Sequence, residues 1–297
     1  MNTSFMVIPE KTCSLLRSSS NCNFSLYSPR MISWEREHGD GKVQFYSGEE
    51  VVGYDKRGKP QWKKINYDAK EELCKVGKEL LKNSLSLLNK KHTKQDKFLS
   101  AMKEQGINIF KFIAKTTSPF ITGLGSGHPT ETGMILDRNI GVPYIPASSI
   151  KGVMRLACAI NIAKTNGVNF VNENDELLKQ YFGSVTQNEK QQKRGELLFL
   201  DAYPLNVPEL KLDIMNPHYT KYYNSENKQP VETESPVPIK FLSVATGTYF
   251  VFRCMYMPLK NNTCDDDFVK QIFTTAFEQV GFGGKTSIGY GRFKELP

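Results

Sequence analysis

Gly281-Phe282-Gly283-Gly284-Lys285-Thr286-Ser287-Ile288-Gly289-Tyr290-Gly291-Arg292-Phe293 sets five glycines within eleven residues, with a lysine and an arginine among them. Glycine lets the backbone approach a neighbour closely and enters conformations that other residues avoid. Ahead of this stretch Phe268, Val269, Ile272, Phe273, Ala276, Phe277 and Val280 recur at helical spacing. Behind it, a short alternating run over residues 288–293 reads as a last strand. The stretch is thus a loop leading from a helix into a strand. Nucleotide-binding loops run the other way, from a strand into the helix whose N-terminus holds the phosphates. The P-loop spacing also fails, because Gln279 stands where a glycine is required. The dinucleotide fingerprint fails at Thr286. Two readings stay open: a glycine-rich turn, or a backbone cradle for a polyanion.

Working upstream, Asp265-Asp266-Asp267 reads as the acidic start of that helix, complementing its dipole rather than holding a metal. Residues 239–245 and 248–257 read as strands separated by Thr246-Gly247, and residues 196–203 as another. The stretch 204–238 is rich in proline and tyrosine and long enough to be a functional insertion. Before it, Ser148 and Ser149 are N-cap candidates for a helix with Ile150, Val153, Met154, Ala157 and Ile160 on one face. Lys151 and Arg155 share a second face, so the helix start and two cations could cradle an anion. A loop over residues 123–129, containing Gly123 and Gly125, follows a strand at 107–116. The order strand, helix, strand, strand, helix, strand predicts an α+β fold, the ferredoxin-like split βαβ unit that the RNA-recognition module shares.

Residues 1–105 read as an N-terminal extension, partly helical and basic. Residues 42–46 suggest a strand. The spacing of Leu73, Val76, Leu80, Leu81, Leu87 and Leu88 predicts an amphipathic helix over 67–88, read as core, with a second helix around 98–102. The chain carries a formal charge of +8. Its surplus concentrates between Lys56 and Lys103, where 14 basic side chains face 5 acidic ones. A solvated helix face and a phosphate-tracking surface both fit that surplus.

No apolar run approaches the roughly 18 residues that a membrane span needs, and the start lacks the pattern of a secretory signal. The cysteines at 13, 22, 74, 158, 254 and 264 include no C-x-x-C pair, and there are four scattered histidines. Spacing therefore predicts no zinc site and no cofactor, and the thiols read as free in a reducing cytoplasm.

Val142-Pro143-Tyr144-Ile145-Pro146-Ala147-Ser148-Ser149-Ile150-Lys151-Gly152-Val153-Met154-Arg155, the strand at 196–203 and the terminal loop together resemble the RAMP superfamily of CRISPR RNA-binding proteins. Ala147 stands where that family's Pro-x-Ile-Pro-Gly-Ser-Ser box has a glycine. The run Asp213-Ile214-Met215-Asn216-Pro217-His218-Tyr219, with Tyr222-Tyr223 and Pro236-Val237-Pro238-Ile239, is similar to the sixth-subunit family of the type III-B Cmr effector complex. The resemblance covers residues 105–297 and reaches the N-terminal third only loosely. It implies a RAMP domain over 106–297 with a thumb inserted at about 206–238. It further implies a non-catalytic structural subunit of an antiviral complex that binds crRNA near its 3′ end and the duplex with target RNA. Neighbours would be the repeated backbone subunit and the first-numbered subunit. The implied RNA-binding residues are Gly123, Gly125, Ser148, Ser149, Lys151, Arg155, Gly281, Gly283, Gly284, Lys285, Thr286, Tyr219 and Tyr222. The tyrosines read equally as core residues or as wedges against displaced bases.

In the family's cutting subunit the catalytic aspartate lies between the first strand and first helix. That place falls near Glu131 here, with Asp137 closer to the box, so no target cleavage is expected. Two rival readings remain. One is a metal-independent guide-processing endoribonuclease using His128 as acid or base. The other is a stand-alone single-stranded RNA-binding module. His218 reads as a structural histidine.

Overall fold

The computed structural model describes residues 23–25, 69–128, 132–184, 192–217, 229, 238–259 and 262–296, and the backbone of five short strands nearer the N-terminus. Those strands are β1 (Ser4–Met6), β2 (Ser33–Arg36), β3 (Val43–Phe45), β4 (Glu49–Tyr54) and β5 (Pro60–Lys64). β1–β3 form one antiparallel sheet and β4–β5 a hairpin. Then come α1 (Ala69–Leu80), a 3₁₀ turn at Leu81–Ser84, α2 (Leu85–Glu104), β6 (Asn108–Thr116), α3 (Ala147–Asn166) and α4 (Glu176–Phe182). The remaining elements are β7 (Leu197–Phe199), β8 (Tyr203–Pro204), β9 (Leu210–Met215), β10 (Ile239–Val244), β11 (Tyr249–Tyr256), α5 (Asp266–Thr275) and β12 (Phe293–Glu295).

The main sheet is antiparallel, in the order β12-β6-β11-β7, with β8 also paired to β11. Burial alternates along β6, while the central strand β11 is buried on both faces. Phe110, Phe112, Ala114 and Thr116 of β6 point to one face and are buried, as are Phe250, Phe252, Cys254 and Tyr256 of β11. α3 and α5 belong to the hydrophobic core on that face. Phe273 lies 4.1 Å from Phe112 between ring centroids, and Phe277 lies 4.9 Å from Phe252. Of the apolar residues expected along α5, Val269, Ile272 and Phe273 are buried and Phe268 is partly buried, and Asp265 caps it by accepting the Phe268 amide at 2.9 Å. α5 ends in a π turn, Ala276–Val280, that closes on Gly281.

α2 lies against the opposite face. It buries Leu88, His92, Gln95 and Leu99, and its polar contacts centre on Arg253, only 2% exposed. The guanidinium donates to the Asp96 carboxylate at 2.8 Å, to Gln95 Oε1 at 3.0 Å and to His92 Nδ1 at 3.1 Å. Because Nδ1 accepts from arginine, the imidazole is neutral and its Nε2–H donates to the Pro204 carbonyl at 2.9 Å. Lys111, opposite Arg253 across the ladder, also pairs with Asp96. The RNA-recognition module stacks bases on its open sheet; here α2 occupies this part of the sheet instead.

That arrangement has a sign in pH. Burial pushes the His92 pKa below its usual 6.5, with the nearby Arg253 charge adding to the shift and the Pro204 hydrogen bond opposing it. The unfolded chain therefore binds the extra proton first, so stability is fully present above about pH 6.5 and is lost as pH falls toward the folded value. Thermal melts from about pH 7 to about pH 5 should show a decline in midpoint that His92→Gln flattens. An equal decline in both proteins would count against this docking.

Several expectations need correction. The helix expected over 67–88 breaks at the 3₁₀ turn 81–84, where the Ser84 hydroxyl donates to the Ile140 carbonyl at 2.6 Å, and α2 then runs through the gap to 104. The last strand begins at Phe293 rather than 288, because residues 286–288 form a 3₁₀ turn between positive-φ residues Lys285 and Gly289. The strand expected at 239–245 pairs with β9, so β9 and β10 form a separate hairpin at the base of the 204–238 excursion. α1 packs on that hairpin through Leu210, with Lys240–Glu71 at 3.0 Å on the rim. The strand expected at 196–203 is interrupted at 200–202, between β7 and β8. Leu73, Leu80, Leu81 and Leu88 share one core with Phe112 and Phe293.

Candidate nucleic-acid interface

The terminal glycine loop is stitched onto the segment that follows β6. Phe282 enters the aromatic core, 5.1 Å from Phe252 and 5.7 Å from Phe293. Its amide donates to the Gly291 carbonyl at 2.9 Å, and the Gly291 amide donates to Pro119 at 2.9 Å. The Gly284 amide donates to the Ile121 carbonyl at 2.8 Å, which brings the 281–286 loop beside the 121–125 loop. Gly283 has φ +84, and a Cβ there would lie 2.0 Å from the Ile121 carbonyl oxygen. Gly123, at φ +74, would meet the Ile135 side chain at 2.5 Å. These glycines allow backbone to touch backbone within the protein. Gly284 and Gly125 are different: a Cβ at Gly284 would meet nothing closer than 3.8 Å, and one at Gly125 nothing within 4 Å.

The positive charge of the loop has two sources. Lys285 is the single non-glycine residue with positive φ among the described residues, and its Nζ lies 5.6 Å over the Phe241 ring. Arg292 lies beneath the loop. Its Nη2 donates to the Thr286 carbonyl at 3.1 Å, while its Nη1 is buried and has no hydrogen-bond partner in the structure. Tyr290 ties the loop to the hairpin base through a 2.5 Å hydrogen bond to Asp213. Together these contacts make a rigid, half-buried cationic loop at the foot of the β9–β10 hairpin.

The box segment is built differently. Residues 136 and 143 bridge across a turn that Asp137 holds, and Ile145 bridges to Ala202. α3 starts at Ala147 with Pro146 as N-cap at φ −59, so Ser148 and Ser149 lie exposed in the first turn and do not cap it. Proline's fixed φ suits the helix entry. The Ala147 amide instead donates to the Asp201 carboxylate at 2.8 Å. The helix N-terminus thus already faces an anion of the protein's own. Arg155 is half-buried and donates to the Gly183 and Glu173 carbonyls at 3.1 and 3.2 Å, clamping the segment after α3. Lys151 is exposed.

The two halves of the expected site are held by different elements. The loop 281–286 leads into β12 at one edge of the sheet, and α3 starts beside the β7–β8 edge, with β6 and β11 between. The glycine loops converge; among the described residues no hydrogen bond or ion pair joins Ser148, Ser149, Lys151 or Arg155 to them. Tyr219, Tyr222, Tyr223, His218 and Glu131 lie outside the described residues.

Asp137, the nearest described carboxylate to the expected catalytic place, is committed to structure. Its Oδ1 accepts the Asn139 and Ile140 amides, and its Oδ2 accepts the Tyr203 hydroxyl at 2.6 Å. Burial would raise its pKa, but these hydrogen bonds outweigh it and hold the carboxyl below the ordinary 3.8. His128 is half-buried at the end of its loop. Among the described residues no group of His, Cys, Asp and Glu could hold a metal, Cys74, Cys158, Cys254 and Cys264 are free thiols, and no helix is long and apolar enough to cross a membrane.

Sequence reasoning missed Arg253, Asp201 and Tyr290 as fixing points. Only a charged residue inside an apolar strand hinted at the first. The other two are polar residues whose partners lie 54 and 77 positions away.

The sequence pattern of the RAMP superfamily matches residues 113–294. The CRISPR system Cmr subunit Cmr6 of Pyrococcus furiosus is 31% identical over 237 residues, 61% of this chain and 66% of that protein. The subunit of the same name from Saccharolobus solfataricus is 28% identical over 169 residues, 55% of this chain and 49% of that one. The chain thus spans less than two thirds of the length of either relative. A chain in the cryo-EM structure of the type III-B Cmr-beta complex bound to cognate target RNA has a similar fold. It gives a TM-score of 0.54 at 22% identity, covering 77% of this chain and 71% of that one.

Proposed function

The chain belongs to the RAMP superfamily, and from that premise we propose that it is a structural, crRNA-binding subunit of a type III-B CRISPR effector complex. It takes the place of the sixth Cmr subunit, holds the 3′ part of the guide and its duplex with target RNA, and works in the cytoplasm. Its partners are crRNA, target RNA, the repeated backbone subunit and the first-numbered subunit. The strand order β12-β6-β11-β7 supports a ferredoxin-like reading of the domain over 106–297, and the β9–β10 hairpin is the stem of its thumb.

One observation carries the reading: two converging glycine loops, backed by Arg292 and flanked by Lys285, form a cationic rim whose partners are backbone groups. Such a rim recognises phosphate and sugar rather than base edges, so binding is insensitive to guide sequence and weakens with salt. Lys151 and the first turn of α3 form a second, separate contact along the same strand. Arg155 acts by holding α3 in place.

The subunit does not cut RNA in this reading, since Asp137 already caps a turn. The test is co-purification from the native host with sequencing of bound RNA, alongside incubation of the purified chain with repeat and target RNA and divalent metal. Guide RNA should be recovered, with no cleavage by the chain. Recovery of arbitrary RNA would favour a stand-alone binding module. Cleavage that disappears with Asp137→Ala or His128→Ala would favour an endoribonuclease. In direct binding, Lys285→Gln should weaken affinity several-fold and lower the salt slope by about 0.7.

A further inference from the structure

We propose that the solvent face of α2 is a further RNA contact, taking the sugar–phosphate backbone of a single strand, with bases resting on Leu87 and Phe98 beside the start of α3. The proposal rests on the RNA-binding reading and adds to it a surface outside the glycine loops and the box.

Lys82, Lys90, Lys94 and Lys97 lie on one face of the 81–104 helical run and are exposed, opposite the face that buries Leu88, His92, Gln95 and Leu99. From Lys82 to Lys97 the stripe extends about 22 Å. None of the four makes an ion pair with a described residue. Lys111, Lys179, Lys240 and Lys270, elsewhere, each do. Like charges left uncompensated at this spacing repel one another along the helix, so the stripe has an electrostatic reason to attract a polyanion.

The stripe is also the wall of two adjoining concavities. One, of about 910 Å³, runs along Lys82, Asn89, Thr93 and Lys97. The other, of about 620 Å³, lies between α2 and the first residue of α3 and is lined by Leu87, Phe98, Phe199, Leu200 and the carboxylates of Asp137 and Asp201. Lys90 and Lys94 border both. The two carboxylates accept from Tyr203 and three backbone amides and keep their charge, and Lys90, Lys91 and Lys94 on the same lining outnumber them. Leu87 and Phe98 are large apolar side chains, 45% and 46% exposed beside those lysines. Cations alternating with an aromatic face match a single nucleic-acid strand, whose bases stack while its phosphates pair. Lysine ammoniums act as point charges without a fixed fork, so the contact selects no sequence.

The test compares three full-length proteins by anisotropy with a fluorescent single-stranded RNA across a salt series: the unaltered chain, K90Q/K94Q/K97Q, and Lys285→Gln. The triple variant, altered only at exposed positions, should keep its melting curve and lose about tenfold in affinity, with a salt slope shallower by about 2. Phe98→Ala should weaken binding without moving that slope. If Lys285→Gln weakens binding while the triple variant matches the unaltered chain, this proposal is overturned and the RNA reading survives. If the unaltered chain and its purified complex bind no RNA, the RNA reading itself fails, and this proposal with it. A triple variant that keeps RNA affinity but drops out of the complex would overturn the proposal in favour of an acidic protein partner.

Discussion

Gly283→Ala is expected to collapse the cationic loop, while Gly284→Ala, one residue along, leaves it in place. The methyl group at 283 would sit 2.0 Å from the Ile121 carbonyl oxygen, against backbone that cannot swing away, and the residue would have to hold φ +84. The left-handed conformation costs an L-residue about 1–2 kcal/mol, and forcing volume into a packed site typically costs a further 1–3 kcal/mol. Relief requires the Gly284–Ile121 hydrogen bond to open, which separates the two glycine loops and releases Lys285 from its backbone turn. RNA affinity should fall at least tenfold, together with a lower melting temperature. At Gly284 the nearest heavy atom to an added Cβ is 3.8 Å away, so alanine there should change binding less than about twofold. The pair separates a loop that works through its fixed shape from one that works through glycine content alone. Equal losses at the two positions would refute the packing argument, and unchanged RNA affinity in Gly283→Ala would remove the loop from the interface.

Arg253→Ala should be the most destabilising single substitution on the outer face of the sheet. The side chain is buried and donates to three different residues of α2. Truncating it leaves Gln95 and His92 without their partner and a cavity where the guanidinium stem lay. Breaking a buried charged network from one side typically costs about 3–5 kcal/mol. Asp96 is partly exposed and retains Lys111, so much of the cost falls on the arginine's other two contacts and on lost packing. Denaturant unfolding measures the total, and limited proteolysis locates it: cleavage should move into residues 85–104. Arg253→Lys keeps a charge but not the three-pronged geometry, and should fall between the two. An unfolding midpoint for Arg253→Ala equal to that of the unaltered chain would show that α2 is held by its leucines alone.

These two substitutions probe opposite ends of the same design. The core face carries α3, α5 and the aromatic cluster, and the outer face carries α2. In the proposed reading the nucleic-acid contacts fall to the glycine loops, the start of α3 and the outward side of α2. Several weak backbone contacts spread over these surfaces would suit the proposed role, in which guide sequence changes from one complex to the next, since none depends on the base.

Much of this was legible in the residues. Helical spacing placed α5 correctly, down to the carboxylate of Asp265 at its cap and Gly281 at its end, because a helix buries one face and its ends must satisfy their own amides locally. Apolar and aromatic runs placed β6 and β11, and glycine clustering marked both loops. What local pattern could not supply was pairing at a distance. Ser148 has the right chemistry for a cap, yet Pro146 starts the helix and Asp201, 54 residues on, faces its first amide. Lys151 and Arg155 have the right spacing for a pair, yet only the fold shows that Arg155 faces two carbonyls while Lys151 faces solvent. The glycines of the terminal loop look open to a ligand, but Gly283 is filled by Ile121 from another segment. Local sequence determined the elements, since propensity and burial act within a few residues. The tertiary structure decided which cations remain available, since a charge is free or spent according to partners brought in from far along the chain.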